Sequence, residues 1–330
     1  MRKALQNGSY SAALREFRKP RCLWSKGISQ FCDFRGPDSY WLSATERCHS
    51  ERFFRRHYAG AYGLVWVRLS SQSRDAAPCD LDNFVRASLQ TIRRPFALIT
   101  TDGDVSVPSE LVGSTVKALL DCPWLVSWHT QNHDGYTHSK LAPFPIGLDL
   151  HTPRPGTTPV RLVSLLQSIR QSRIPIDELP LRVFCDLGSN LSALERLNAL
   201  TILRNCEHVD LLTSRLSQAA IWWRYAQYPF VVSARGNGLD CHRTWELLYL
   251  GCVVITKSSS LDPLFSGLPV VIVKDWNEVR QKSNLAEWLR QYGGLTDRDR
   301  IWRRLDPDRY LQPIRQAVDA VNASSRGEDG

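Results

Sequence analysis

The run Arg235-Gly236-Asn237-Gly238 follows directly on the apolar stretch Phe230-Val231-Val232-Ser233-Ala234, and Asp240, His242, Arg243 and Glu246 come within the next eight residues. Two glycines between the carboxyl end of a strand and the amino end of a helix let backbone amides close on a ligand. The partial positive charge of a helix N-terminus then favours phosphate. Asp240 stands where such a helix is capped. Arg243 and Glu246, three residues apart, share one helical face: the guanidinium can grip diphosphate oxygens as a fork, and the carboxylate can accept hydrogen bonds from ribose hydroxyls. Lys257, closing the next apolar run, can reach the same phosphates. Together these residue types describe a pocket for a nucleoside diphosphate. The same Asp240, Arg243 and Glu246 would also make a surface ion-pair ladder worth about 0.3–0.5 kcal/mol per pair, and spacing alone does not choose between the two.

Two other groupings compete for chemistry. Asp102-Gly103-Asp104 follows an apolar run and resembles the D-x-D triplet by which metal-dependent GT-A glycosyltransferases hold a divalent ion. Hard carboxylate oxygens suit Mg²⁺ or Mn²⁺, yet aspartates are also common in turns, where they bond their own backbone. The stretch from His129 to His138 carries His129, His133, Asp134 and His138, a spacing that matches no zinc signature. His133 or Asp134 is instead a candidate for binding acceptor hydroxyls or acting as general base.

The elements that must position these residues alternate. Gly63 to Leu69, Phe96 to Thr101 and Trp124 to Trp128 read as strands, with helices expected over Leu81–Ile92 and Ser109–Leu120. A weaker helix is expected near Ser11–Phe17. Pro153, Pro155, Gly156, Pro159 and Pro175 surround one short helical piece, Val160–Ile169, and read as an inter-domain connection. Leu181–Leu187 restarts the alternation, followed by a helix over Leu191–Leu203. The strand at Phe230, a helix from Leu239 to Leu250 stopped by Gly251, and the strand Cys252–Thr256 then form the unit that carries the glycine loop. Leu268–Val273 is one more strand, Asp275 caps a helix over Glu278–Tyr292 with Trp276 as a packing residue, and Asn322–Gly330 is expected to fray. Pro143 to Asp149 reads as a stiff exit toward the connection.

The chain has 330 residues, enough for two domains of ordinary size, and its 43% hydrophobic and 23% charged residues describe a globular protein. Nine cysteines are scattered singly with no C-x-x-C pair, as expected of reduced, largely buried thiols. No run is apolar enough to cross a membrane, and the N-terminal residues do not read as a signal peptide, so a cytoplasmic location is expected. The net charge of +9 raises a nucleic-acid alternative. The arginines are spread thinly and lack the aromatic and glycine pattern of an RNA-binding sheet, so no nucleic-acid partner is expected.

The string from Gly236 to Leu248, with Gly251-Cys252-Val253-Val254-Ile255, resembles the exostosin-like glycosyltransferases, whose pattern is a glycine loop, R-x-x-E, and then G-C-x-P-V-I; Val254 stands in the proline position. The resemblance implies a GT-B fold, that is, α/β with two Rossmann-like domains facing a cleft. The expected division is 1–150 for the acceptor side, 151–180 as linker and 181–330 for the nucleotide sugar. It further implies transfer of a sugar from a nucleotide diphosphate sugar to a hydroxyl of a glycan or glycoconjugate, with no cofactor and no essential metal. Under this reading Arg235, Gly236, Asn237, Gly238, Asp240, His242, Arg243, Glu246 and Lys257 hold the donor, while Arg243, Glu246, His133 and Asp134 are the catalytic candidates. Asp102 and Asp104 are kept as the metal-dependent alternative.

Overall fold

A computed structural model describes residues 22–43, 47–69, 79–154, 156–187 and 194–327; the helix expected near Ser11–Phe17 lies outside them. The chain divides into two α/β units. One comprises residues 22–146 with 306–327, and the other comprises 147–305.

In the first unit β1 (Gly63–Arg68), β2 (Phe96–Thr101), β3 (Leu125–Thr130) and β4 (Leu141–Pro143) form a parallel sheet in that order. Helices α1 (Asp38–Trp41), α2 (Glu51–Tyr58), α3 (Asp80–Ala87) and α4 (Gly113–Leu120) belong to the same unit. Every residue of β2 is buried, as a central parallel strand covered on both faces requires. Its two threonines are tolerated there because each accepts from an indole: Trp66 Nε1 donates to Thr101 Oγ1 at 2.8 Å and Trp128 Nε1 to Thr100 Oγ1 at 2.9 Å.

The second unit is a parallel sheet of β5 (Val183–Cys185), β6 (Val209–Leu211), β7 (Phe230–Val232), β8 (Val253–Lys257) and β9 (Val270–Val273) in the order β6-β5-β7-β8-β9. Its helices are α5 (Pro159–Ser172), α6 (Leu194–Leu203), α7 (Gln218–Tyr225), α8 (His242–Leu250), α9 (Lys282–Tyr292) and α10 (Arg298–Arg304). The strand order reverses between β5 and β7, which opens a crevice at their carboxyl ends, the place where such sheets bind ligands. The last helix, α11 (Pro307–Gly327), returns to the first unit and packs on β1, β2 and β3 through the buried Leu311, Ile314 and Val318. The α/β class and the two Rossmann-like units are as the sequence predicts.

The boundaries differ from those expected. Residues 156–180 are not a linker but part of the second unit. Helix α5 starts at Pro159, with Thr158 Oγ1 accepting from Arg161 N at 3.3 Å, and buries Leu162, Val163, Leu166 and Ile169. Arg173, just past its end, donates to Ala226 O and Leu250 O at 3.1 Å, to Tyr228 O at 2.7 Å and to Gly251 O. One guanidinium thus satisfies orphan carbonyls at the C-termini of both α7 and α8. Residues 306–327 likewise leave the unit they follow in sequence. The expected fraying from Asn322 is not seen as far as Gly327, because α11 continues to that residue.

Smaller shifts have local causes. Helix α8 starts three residues later than expected because Leu239–Cys241 stay in the loop, and Gly251 ends it at φ +80°. Strand β3 runs on to Thr130, making His129 a strand residue. Asp275 caps the following turn as expected, accepting from Asn277 N at 2.7 Å, and Trp276 is fully buried. Among the described residues no helix is long and apolar enough to cross a membrane.

Candidate functional site

A cavity of about 260 Å³ opens at the carboxyl ends of β7 and β8. Ser233 and Arg235 come from β7 and the glycine loop, Thr256, Lys257, Ser258 and Ser259 from the end of β8, and Asp240, Cys241 and Thr244 from the entry to α8. The polarity is local chemistry: each strand is apolar while buried and turns to hydroxyls and cations where it emerges. Ser233 Oγ and Thr244 Oγ1 lie 2.9 Å apart and tie the end of β7 to the first turn of α8. Asp240 Oδ1 accepts from Cys241 N at 2.8 Å and from Trp245 Nε1 at 2.9 Å, so it pins the loop to the helix rather than pointing at a ligand.

Beneath the glycine loop lies Arg196 of α6, a residue the sequence reading did not single out. It is 8% exposed, and its Nε donates to Arg235 O at 3.0 Å. A Cβ on Gly236 would meet Arg196 Nη2 at 3.0 Å, so this glycine makes room for a guanidinium as well as for a ligand. Lys257 Nζ sits 3.6 Å from Glu195 Oε2 at the cavity wall, and Glu195 Oε1 accepts from Trp276 Nε1 at 2.8 Å. Lys257 is the more accessible of the pair, 35% exposed against 19% for Glu195, and an anionic ligand would compete for its ammonium.

Of the nine residues expected to hold the donor, Arg235, Asp240 and Lys257 line this cavity, and Gly236, Asn237 and Gly238 form its loop. The other three turn elsewhere. Arg243 and Glu246 do share a helical face, but that face looks toward α7. Arg243 Nε is 3.1 Å from Asp186 Oδ1, just past β5, and Tyr225 Oη donates to Asp186 Oδ2 at 2.5 Å. Burial works against the Arg243 charge, and the Asp186 carboxylate more than restores it, so its pKa lies above the ordinary value. Its Nη1 is buried with no hydrogen-bond partner among the described residues. Glu246 is 6% exposed and accepts from Trp222 Nε1 at 2.9 Å and Gln218 Nε2 at 3.4 Å. Burial pushes its carboxyl up, opposed by the Trp222 bond. His242 sits 2.8 Å through Nδ1 from Gly147 O and faces Asp149 and His151.

The candidates of the first unit are occupied by their own loops. His133 Nδ1 accepts from Gly135 N at 3.3 Å, which leaves Nε2 to donate to Tyr136 O at 3.2 Å. Asp134 accepts from Ser109 N at 2.8 Å and Tyr136 N at 3.1 Å. Both side chains hold a turn, which answers for their polarity without a role as base. Asp102 is 3% exposed at φ +66°, and its carboxylate takes Arg68 Nε at 3.0 Å and Lys26 Nζ at 3.4 Å, whereas Asp104 is exposed. Two cations already neutralise the oxygen a divalent ion would need, so the D-x-D alternative loses its first ligand to a buried ion-pair network.

The residues the sequence reading missed fall into two groups. Ser233 and Thr256 announce themselves as the first hydroxyls closing apolar runs. Glu195, Arg196, Asp186 and Trp222 carry no such signal, because each reaches the site from an element distant in the chain.

No protein-family model matches the sequence, and no curated protein does. The structure is similar to that of an α,α-trehalose 6-phosphate synthase from Burkholderia multivorans, with 11% identity, 85% of this chain and 74% of that chain covered, and a TM-score of 0.48. It is also similar to a UDP-forming α,α-trehalose-phosphate synthase from Burkholderia xenovorans, with 13% identity, 78% and 72% covered and a TM-score of 0.38. A third is an α-glucosyltransferase solved with UDP and a DNA oligomer, with 9% identity, 81% and 78% covered and a TM-score of 0.33.

Proposed function

We propose that the chain is a glycosyltransferase of GT-B type, related in its donor segment to the exostosin-like enzymes, that moves a sugar from a nucleotide diphosphate sugar to a hydroxyl of a glycan or glycoconjugate. The observation that carries this reading is the cavity at the ends of β7 and β8, where a glycine loop, the first turn of α8 and Lys257 converge on one polar space beside the strand-order reversal. In the reaction the bond between the sugar and the diphosphate breaks as the acceptor oxygen attaches, and the acceptor hydroxyl's proton passes to the departing diphosphate. Charge developing on the departing phosphate is met by the amides of the glycine loop, the α8 N-terminus and Lys257, with Arg196 fixing the loop from below. Ser233 and Thr244 hydroxyls remain for the ribose or the sugar. These groups are preorganised by bonds within the unit, so they need not reorganise as charge develops.

The test is a thermal-shift screen against UDP, GDP, ADP and CDP and their sugars, followed by assay of nucleoside diphosphate release. A ligand at a hundred times its Kd adds about 2.7 kcal/mol of stability. At least one nucleoside diphosphate should raise Tm, and Lys257→Ala should weaken its binding about tenfold or more by removing one charge-assisted contact. If no nucleotide shifts the wild-type Tm, or if Lys257→Ala binds the nucleotide unchanged, the proposed site is wrong.

A further inference from the structure

On the side of α8 away from the nucleotide cavity, three side chains converge: Asp149 and His151 from the segment that opens the second unit, and His242 from the first turn of α8. One ligand atom from each lies within 4.8 Å of the others. We propose that Asp149, His151 and His242 bind a single transition-metal ion of the imidazole-preferring class, with Zn²⁺ the expected occupant. The inference goes beyond the transferase reading, and sugar transfer is not routed through this ion.

Four observations carry it. First, two imidazoles and one carboxylate are a donor set suited to zinc, cobalt, nickel or copper, and unsuited to the all-oxygen demands of Mg²⁺ or Ca²⁺. Second, the outer contacts are those a metal-bound histidine uses. His242 Nδ1 lies 2.8 Å from the Gly147 carbonyl, to which it must donate, and this fixes the tautomer that keeps a lone pair on Nε2. Third, the carboxylate is oriented before any ion arrives. Asp149 Oδ2 accepts from Arg154 Nη2 at 2.6 Å, and Oδ1 accepts from Thr152 N at 3.0 Å while lying 3.4 Å from His151 Nδ1. Fourth, the two imidazole rings are tilted by 57° to one another with centroids 5.5 Å apart. At that separation one ring nitrogen from each can reach a single ion.

The consequence is a clamp. An ion here would tie residues 147–151 to the N-terminus of α8, and so steady the helix that shapes the opposite cavity. Arg154 lowers the affinity by repulsion, which distinguishes the site from a closed structural zinc centre.

The experiment strips the full chain with a chelator and titrates it with Co²⁺ alone, reading stoichiometry by calorimetry and geometry by the visible d–d bands. One equivalent should bind, with low-coordinate bands that Zn²⁺ displaces. Loss of an outer contact already costs 10–100-fold in comparable sites, so His151→Ala should raise the Co²⁺ Kd by about 100-fold or more and abolish the bands. His242→Ala should do the same, and circular dichroism reports whether each variant is folded. His151 lies on a loop clear of the nucleotide cavity, so its variant decides the matter if His242→Ala fails to fold. Absence of a one-equivalent site in the wild type, or bands unchanged in folded His151→Ala, overturns the proposal. Nucleotide binding by the metal-free protein separates this outcome from failure of the transferase reading.

Discussion

Replacing Arg173 by methionine keeps the apolar stem and removes only the guanidinium, so it asks whether residues 156–180 are structure or linker. Four carbonyls lose a donor: Ala226 and Tyr228 beyond α7, and Leu250 and Gly251 at the end of α8. A hydrogen bond from a charged donor is worth about 1.5–3 kcal/mol. The four share one partly exposed group, and water can reach some of the freed acceptors, so the sum is well below four times that figure. Two helix C-termini also lose a compensating cation, at about 0.3–1 kcal/mol each. A net loss of about 3 kcal/mol follows, large among single substitutions. For a unit of this size that lowers Tm by about 6–12 °C. Urea unfolding followed by tryptophan fluorescence, to which the buried Trp222 and Trp245 of the second unit contribute, measures the loss. Arg161→Met, on the exposed face of α5, is the control and should stay within about 0.5 kcal/mol of wild type. A cost below about 1 kcal/mol for Arg173→Met, or one equal to the control, refutes the argument that this segment is integral.

Two further outcomes are expected. Glu246→Gln should match or exceed wild-type stability at neutral pH by about 1 kcal/mol, since the amide oxygen can still accept from Trp222. Burial raises this carboxyl above its ordinary 4.5, so its contribution is complete below that value and is lost as pH rises through the folded pKa. A glutamine variant less stable than wild type by more than about 1 kcal/mol would show that the charge itself is needed. His129, whose pKa burial lowers from 6.5 to about 4, favours the fold when neutral. Stability should therefore be complete above pH 6.5 and fall by on the order of 2 kcal/mol as pH drops toward 4, after allowance for partial exposure. His129→Gln should flatten that slope in urea titrations, and an unchanged slope would assign it to other groups.

The strand, glycine loop, helix and strand around Gly236 were legible because local sequence sets them: apolar runs buried on both faces, glycines at the turn and a left-handed stop at Gly251. The common face of Arg243 and Glu246 was legible too, since spacing along a helix fixes it. What that face looks at was not. Helix α7, QAAIWWRY, has no clean apolar period, and the partners Asp186, Gln218 and Trp222 come from elements whose neighbourhood only the tertiary fold determines. Asp102 and His133 misled for the opposite reason. Their residue types suit catalysis, but an aspartate buried against Arg68 and a histidine closing its own turn look the same in one dimension. The 151–180 segment read as linker because its prolines are punctuation, whereas the buried face of α5 and the reach of Arg173 are three-dimensional facts.

The return of α11 to the first sheet has a consequence for biosynthesis. The face of β1, β2 and β3 that takes up Leu311, Ile314 and Val318 cannot be covered until residues 307–327 have been made, after the intervening unit of residues 147–305. At about 5–20 residues per second a ribosome needs on the order of ten to thirty seconds to cross that gap. The unit encoded second can therefore complete itself first, while the one encoded first waits with an apolar sheet open to other nascent chains. Chaperone dependence during synthesis should fall on residues 22–146, even though the finished sheet there is the one assembled from strands in simple sequential order.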